Sequence, residues 1–223
     1  MLPGHRSINT AITMGTIIAY FVIIALLVRS LARSGKKSRG RQGEKKVSSR
    51  LRVLSGKGKG TLLNDVLLRR ENGGTSQIDH VFVTAAGVFS IETKNYRGVI
   101  SGEPGDQEWV QTTRRSCKPF ESPIMQNRGH IEALRELLGQ KYPDLKYHSL
   151  VVFPSRHLIH VEDPRVVSRK ELQQAILSHT VGNMGHDEVR EIARMIRQAD
   201  ITSRRERRRH IREVKRMRRK TGR

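Results

Sequence analysis

The stretch QIDHVFVTAAGVFSIETKN, Gln77 to Asn95, decides the fold. Ile78, Val81, Phe82 and Val83 lie before the small-residue turn Ala85-Ala86-Gly87, and Val88, Phe89 and Ile91 lie after it, so the segment reads as two β-strands joined in a hairpin. A turn centred between Ala85 and Ala86 places Asp79 opposite Glu92 and Gln77 opposite Lys94. A bulge at Gly87 following a type I turn would instead shift the pairing by one residue. Opposed Cβ atoms lie about 4.5–5.5 Å apart, close enough for two carboxylates to grip one Mg²⁺ at about 2.0–2.1 Å. Lys94, two residues beyond Glu92, shares its face of the strand. A Glu-x-Lys pair on an exposed strand is ordinarily solvated surface. Here it closes an apolar strand and faces a second carboxylate, and the two acids repel unless a cation lies between them.

Working outward, the spacing predicts a helix from Arg41 with Val47, Leu51 and Leu54 on one face. Glu44 falls on that same inward face. An acid on an apolar stripe is costly unless paired or bound to metal, although a Glu near a helix start also serves the dipole. Gly56–Gly60 lacks the spacing of a phosphate-cradling P-loop and precedes a strand, Thr61–Leu68, so that reading is rejected. Beyond the hairpin, Gly98–Gly102 and Glu108–Thr112 read as short strands, with Trp109 either in the core or as a lid. Ser122-Pro123 opens a helix with a stripe of Ile131, Leu134 and Leu138, ended by Gly139. Gln126 and Asn127 sit in its first turn, where the plain reading is capping. Ser149–Phe153 is a continuous apolar run, the mark of a strand buried on both faces. Ser168-Arg169-Lys170-Glu171 is a capping box before a helix with Leu172, Ala175 and Ile176, and Asp187–Gln198 forms another on Val189, Ile192 and Ile196.

These residues together carry a resemblance. Gly43-Glu44, Gln77-Ile78-Asp79-His80, Gly87-Val88-Phe89, Ile91-Glu92-Thr93-Lys94-Asn95-Tyr96, Gly98, Trp109 and Gln126-Asn127 resemble the nuclease-related domain, NERD, a family similar to the PD-(D/E)xK restriction-endonuclease-like superfamily. The likeness runs from about Arg41 to Phe153. Ile78 stands where the superfamily's name has Pro, a position that bears no chemistry. The resemblance implies an α/β restriction-endonuclease-like core in the order helix, three-stranded antiparallel meander, helix, strand. It also implies that Asp79, Glu92 and the Thr93 carbonyl hold Mg²⁺ or Mn²⁺, that Lys94 and Glu44 join the catalytic set, and that Gln126, Asn127 and Arg97 bind substrate.

The ends of the chain differ from this core. Ser7–Val28 holds no charged residue, and its twenty-two residues reach about 33 Å as a helix against a hydrocarbon core near 30 Å. Six Lys/Arg follow between Arg29 and Arg41, so the apolar run reads as an uncleaved single-pass anchor in the plasma (inner) membrane with the domain on the cytoplasmic side. The expected organisation is an anchor over 1–29, a basic linker over 30–40, the core over 41–155, a helical extension over 156–200 and a basic tail over 201–223. The net charge of +22 is concentrated in the linker and in Arg204–Arg223, where twelve Lys/Arg meet two acids. Such ends suit nucleic acid or anionic lipid, and the tail reads as a basic helix with a narrow stripe of Ile211, Val214 and Met217, or as a segment disordered until bound. Cys117 is the single cysteine, which excludes an internal disulfide and a thiolate metal cage and leaves it a structural residue. His157 and His160 lack partners for a zinc site.

The expected function is a membrane-anchored, metal-dependent nuclease hydrolysing phosphodiester bonds of DNA or RNA. The alternatives are a non-catalytic nucleic-acid- or protein-binding module, and a membrane scaffold that recruits a partner.

Overall fold

The computed structural model describes residue 24 and residues 38–153, 159–179 and 182–220, with side chains as far as residue 216. The chain divides after Arg41 into two units, and the second, Gln42–Arg223, carries both sheets and every residue of the site. Among the described residues no helix is long and apolar enough to cross a membrane. The anchor expected over Ser7–Val28 lies outside them, apart from Ile24.

Helix α1 (residues 38–56) leads into β1 (Thr61–Arg69), β2 (Thr75–Thr84) and β3 (Gly87–Thr93), an antiparallel meander. The central hairpin pairs His80 with Ile91, Phe82 with Phe89 and Thr84 with Gly87, the register of a turn centred between Ala85 and Ala86. No bulge intervenes. Thr84 Oγ1 braces the turn, accepting from the Ala86 N–H at 3.1 Å and donating to the Gly87 carbonyl at 3.3 Å. Gly87 has a φ of +134°, and a Cβ there would come within 2.4 Å of the Lys146 carbonyl, so glycine is required where the hairpin meets the chain leading to the next core strand.

A second antiparallel set follows: β4 (Val99–Ser101), β5 (Glu108–Thr113) and β6 (Ser116–Glu121). Helix α2 (Pro123–Leu138) then carries the chain to β7 (Tyr147–Phe153), which lies parallel to β3. Two short strands come next, β8 (Ile159–His160) beside β4 and β9 (Val166–Ser168) beside β7, and then α3 (Leu172–Leu177), α4 (His186–Ala199) and α5 (Arg204–Lys220). The main sheet therefore runs β1-β2-β3-β7-β9 and the smaller one β6-β5-β4-β8.

Alternation along the strands builds two faces. On one, Val81, Val83 and Val88 meet Leu134 and Leu138 of α2 and Ile192 and Ile196 of α4. On the other, Phe82, Phe89, Ile91 and Val152 meet Val47 and Leu51 of α1 and Ile176 of α3. Phe82 and Phe89 are paired across the hairpin and fully buried, each contributing about 1.5–3 kcal/mol by burial. Trp109 is fully buried between the small sheet and Val151 and Phe153, with its indole N–H donated to the Glu103 carbonyl at 3.0 Å. It is core and not a lid.

Two sequence expectations need correction. The segment expected as a helical extension over 156–200 contains β8 and β9, and β9 completes the main sheet. The Val166-Val167 pair is too short to show a period, and its place comes from packing on β7. The reciprocal bonds of the Ser168–Glu171 box form, with the Ser168 N–H on Glu171 Oε2 at 2.8 Å and the Glu171 N–H on Ser168 Oγ at 3.3 Å, but they close a turn ahead of α3, which begins at Leu172. Cys117, read as structural, is exposed on β6.

Candidate active site

The site is built where the β2–β3 pairing stops. Beyond His80 and Ile91 the two strands no longer pair, and the reason lies one strand further out. β1 and β2 keep one register from Thr61–Val83 to Arg69–Thr75 but skip the rung that joins Asp65 and Asp79. Asp65 there adopts a left-handed backbone, φ +54°. Both strands change face at this rung: Leu63 and Val66 pack in the same α2/α4 core although three residues apart, and so do Ile78 and Val81. Asp79 consequently leaves the regular alternation and turns its carboxylate to the end of β3, where Oδ2 accepts the Thr93 N–H at 2.9 Å. Gln77, expected opposite Lys94, turns instead to Asp65 Oδ1 at 2.6 Å.

Glu92 and Lys94 lie on one face, as the two-residue spacing requires. The Lys94 ammonium donates to Glu92 Oε1 at 2.6 Å and to Gln126 Oε1 of α2 at 2.7 Å. Glu92 is 3% exposed, and its second oxygen, Oε2, stands 3.4 Å from His130 Nε2 with no hydrogen-bond partner. His130 Nδ1 is held by Ser76 Oγ at 2.7 Å. Glu44 projects from α1 near Asp79. Gly43 makes this approach possible, because a Cβ there would lie 2.7 Å from the Asn95 Cβ.

Electrostatics separate the two acids. Burial would raise the Glu92 carboxyl, but the Lys94 charge and then His130 outweigh it and hold it well below its ordinary value. Burial, and then the negative charge of Glu92, push the Asp79 carboxyl well above its ordinary range, against the Thr93 N–H and Lys94, and Glu44 pushes it further up. Lys94 is kept firmly protonated: burial opposes its charge, and Glu92 more than restores it. Asp79 and Glu92 therefore oppose each other's charge, and the Lys94 ammonium is tied to Glu92.

Asn127 departs from its expected role in substrate binding. It is fully buried, with Nδ2 facing the Ser90 carbonyl, Ser149 Oγ and the Leu150 carbonyl at 2.9–3.0 Å, and Oδ1 accepting Ser90 Oγ–H at 2.6 Å. It staples α2 to β3 and β7. Gln126, one residue earlier, does reach the site, and neither residue caps the helix. Arg97 is exposed in the loop after β3, three residues past Lys94. His130 was not singled out from the sequence. Its signal is helical spacing, since four residues after Gln126 and three after Asn127 put it on the same buried side of α2.

Whether this set suits a divalent ion is decided by its donors. Among the described residues no three His, Cys, Asp or Glu side chains converge as a ready-made cage. Asp79 and Glu92 nevertheless offer carboxylate oxygens side by side, one of them buried and without a hydrogen bond, which is the donor chemistry of a hard cation with water ligands. The residues fit.

Comparison with known proteins places this geometry in context. The family profile of the nuclease-related domain matches residues 39–154. An uncharacterized protein of Bacillus anthracis is 32% identical over 206 residues, covering 89% of this chain and 95% of that protein. Among solved structures, the small subunit of the heterodimeric restriction endonuclease R.BspD6I is similar over 68% of this chain and 87% of its own, at 11% identity and a TM-score of 0.24.

Proposed function

Starting from the fact that this chain belongs to the nuclease-related domain family, we propose that it is a metal-dependent nuclease that hydrolyses phosphodiester bonds of DNA or RNA. The observation that carries the reading is the meeting of Asp79, Glu92 and Lys94 at the broken end of the hairpin, with Glu92 Oε2 buried and unpartnered. Asp79, Glu92 and the Thr93 carbonyl would hold Mg²⁺ or Mn²⁺. Such an ion, when bound, polarises a phosphoryl oxygen and lowers the pKa of a bound water.

The chain's own residues supply the rest. Lys94, firmly cationic and fixed between Glu92 and Gln126, offers a charge to a phosphate oxygen or to the attacking water. Glu44, beside Asp79, is placed to accept a proton from that water. Ser76 fixes the His130 ring, whose Nε2 stands 3.4 Å behind Glu92 Oε2. Gln126 fixes the Lys94 ammonium, and the exposed Arg97 extends positive charge along the path a phosphate chain would follow.

Mn²⁺ titration followed by electron paramagnetic resonance tests the site directly. The wild-type chain should bind Mn²⁺, and Glu92→Gln should weaken that binding by about 10- to 100-fold. Equal binding by both proteins would remove Glu92 from the site. The same proposal places the enzyme on the inner membrane with its domain in the cytosol, on the charge asymmetry around residues 7–28. A reporter fused after Arg223 and active only in the periplasm would reverse that orientation.

A further inference from the structure

The aim of Asp79 depends on a backbone conformation in another strand, and that conformation is held from the far end of the chain. Asp65, opposite Asp79 at the skipped rung, has φ +54°, a region uncommon for side-chain-bearing residues, though Asp enters it more readily than most, and rare inside a strand. What surrounds it is Arg207 of α5. The guanidinium meets Asp65 Oδ2 at 3.0 Å, donates to the Asp65 backbone carbonyl at 2.8 Å, and spans to Asp200 Oδ1 at 2.8 Å and the Ile201 carbonyl at 2.7 Å. Asp200 and Ile201 are in turn tied to the next residues of β1: the Leu67 N–H donates to Asp200 Oδ1 at 2.9 Å, and the Ile201 N–H to the Leu67 carbonyl at 2.9 Å. One planar fork therefore joins the start of α5, the end of α4 and the left-handed residue of β1. Five rigid donors on one side chain are suited to this, and a single ammonium is not.

We infer that Arg207 is a positioning residue for the active site: by clamping Asp65 in its left-handed conformation it keeps the β1–β2 rung broken and so holds the Asp79 carboxylate on the Thr93 amide. The inference rests on the reading of Asp79 as a metal-holding carboxylate, and it gives the basic C-terminal helix a task besides contact with polyanions. The basic tail forms a helix over Arg204–Lys220. α5 is docked on the meander through Arg207, through an Arg69–Glu206 ion pair and through Thr75 Oγ1 and His210 Nδ1 at 2.7 Å.

The test is hydrogen exchange at the Thr93 amide, read by NMR on the full chain in detergent, because that proton is the one Asp79 holds. Arg207→Ala should speed Thr93 exchange by about tenfold or more while the β7 amides of Leu150 and Val151 keep their protection. The second variant is the double replacement Asp65→Gly with Arg207→Ala. Glycine adopts positive φ without help, so the rung should break again unaided and Thr93 exchange should return to within about twofold of wild type. Mn²⁺ affinity should follow the same pattern, weakened about tenfold in the single variant and recovered in the double.

Unchanged Thr93 exchange in Arg207→Ala would overturn the inference, and so would failure of Asp65→Gly to restore it. If Arg207→Ala loses protection in β7 as well, the double variant decides: recovery throughout sustains the clamp, and continued loss refutes it. Should wild type itself bind no Mn²⁺, the nuclease reading falls, and Thr93 exchange still judges the clamp.

Discussion

Replacing Asn127 with alanine separates the staple described above from a substrate contact. Asn127 is fully buried, and its Nδ2 carries two protons for three acceptors, so one proton is shared. Truncation strands Ser90 Oγ and removes donors from two backbone carbonyls and Ser149 Oγ, all beneath α2. A buried group left unsatisfied costs about 1–3 kcal/mol. The two carbonyls belong to the β3–β7 region, where the ladder offers other donors, so the low end applies to them. The sum comes to about 3–4 kcal/mol, a large share of the stability of a single domain. For a unit of this size that lowers the melting temperature by roughly 6–16 °C. Urea unfolding followed by circular dichroism measures it, with Gln126→Ala as the partner variant. Gln126 is half-buried and touches Lys94, so its loss should cost little stability and should lower turnover. A stable Asn127→Ala protein that has lost turnover at saturating substrate would refute the staple and return Asn127 to the substrate.

Two further outcomes are expected. The His80 imidazole is 2% exposed and lowered to about 4, because burial disfavours its charged form while Glu92 pulls the other way. Its folded pKa lies below the ordinary 6.5, so its contribution is full above pH 6.5 and is lost as the pH falls through 4. The unfolding free energy of wild type minus that of His80→Gln should therefore fall by about 3 kcal/mol between pH 7 and pH 4, and a pH-independent difference would show that His80 is not the acid-sensitive group. On α5, Arg204, Arg205, Arg208 and Arg212 point outward, away from the docked side. Changing these four to Gln should reduce the slope of log affinity against log salt on duplex DNA by at most about 3–4 units, and an unchanged slope would assign this face to lipid or to solvent.

The hairpin was legible because two signals agreed, the small-residue turn and the β-branched strands either side of it, while the choice between the Ala85–Ala86 register and a Gly87 bulge was decided by the structure. The Glu92–Lys94 pairing followed from the strand period alone. Gln77 went astray because register arithmetic assumes unbroken alternation, and the break at Asp65 and Asp79 is imposed from α5, more than a hundred residues away. Asp65 is of a type that enters the left-handed region more readily than most, but one Asp within a strand does not mark the position. Asn127 and Gln126 are adjacent on α2, and only the crossing of that helix over β3 and β7 decides which of them reaches Lys94 and which is buried. His130 was hidden for the same reason, as one His among ordinary helix residues. β9 was missed because three residues carry no periodicity, and its partner strand supplies the order.

The central claim is that Asp79, Glu92 and Lys94 form a metal-dependent phosphodiesterase site. Purified full-length chain should be incubated with plasmid, linear duplex, single-stranded DNA and RNA, each with Mg²⁺, Mn²⁺ or EDTA, beside Glu92→Gln and Lys94→Ala. The account predicts cleavage of at least one substrate with metal, none with EDTA, and a loss of about 10²–10³-fold or more in either variant. Binding without cleavage of any substrate, or cleavage that survives both substitutions, would contradict it.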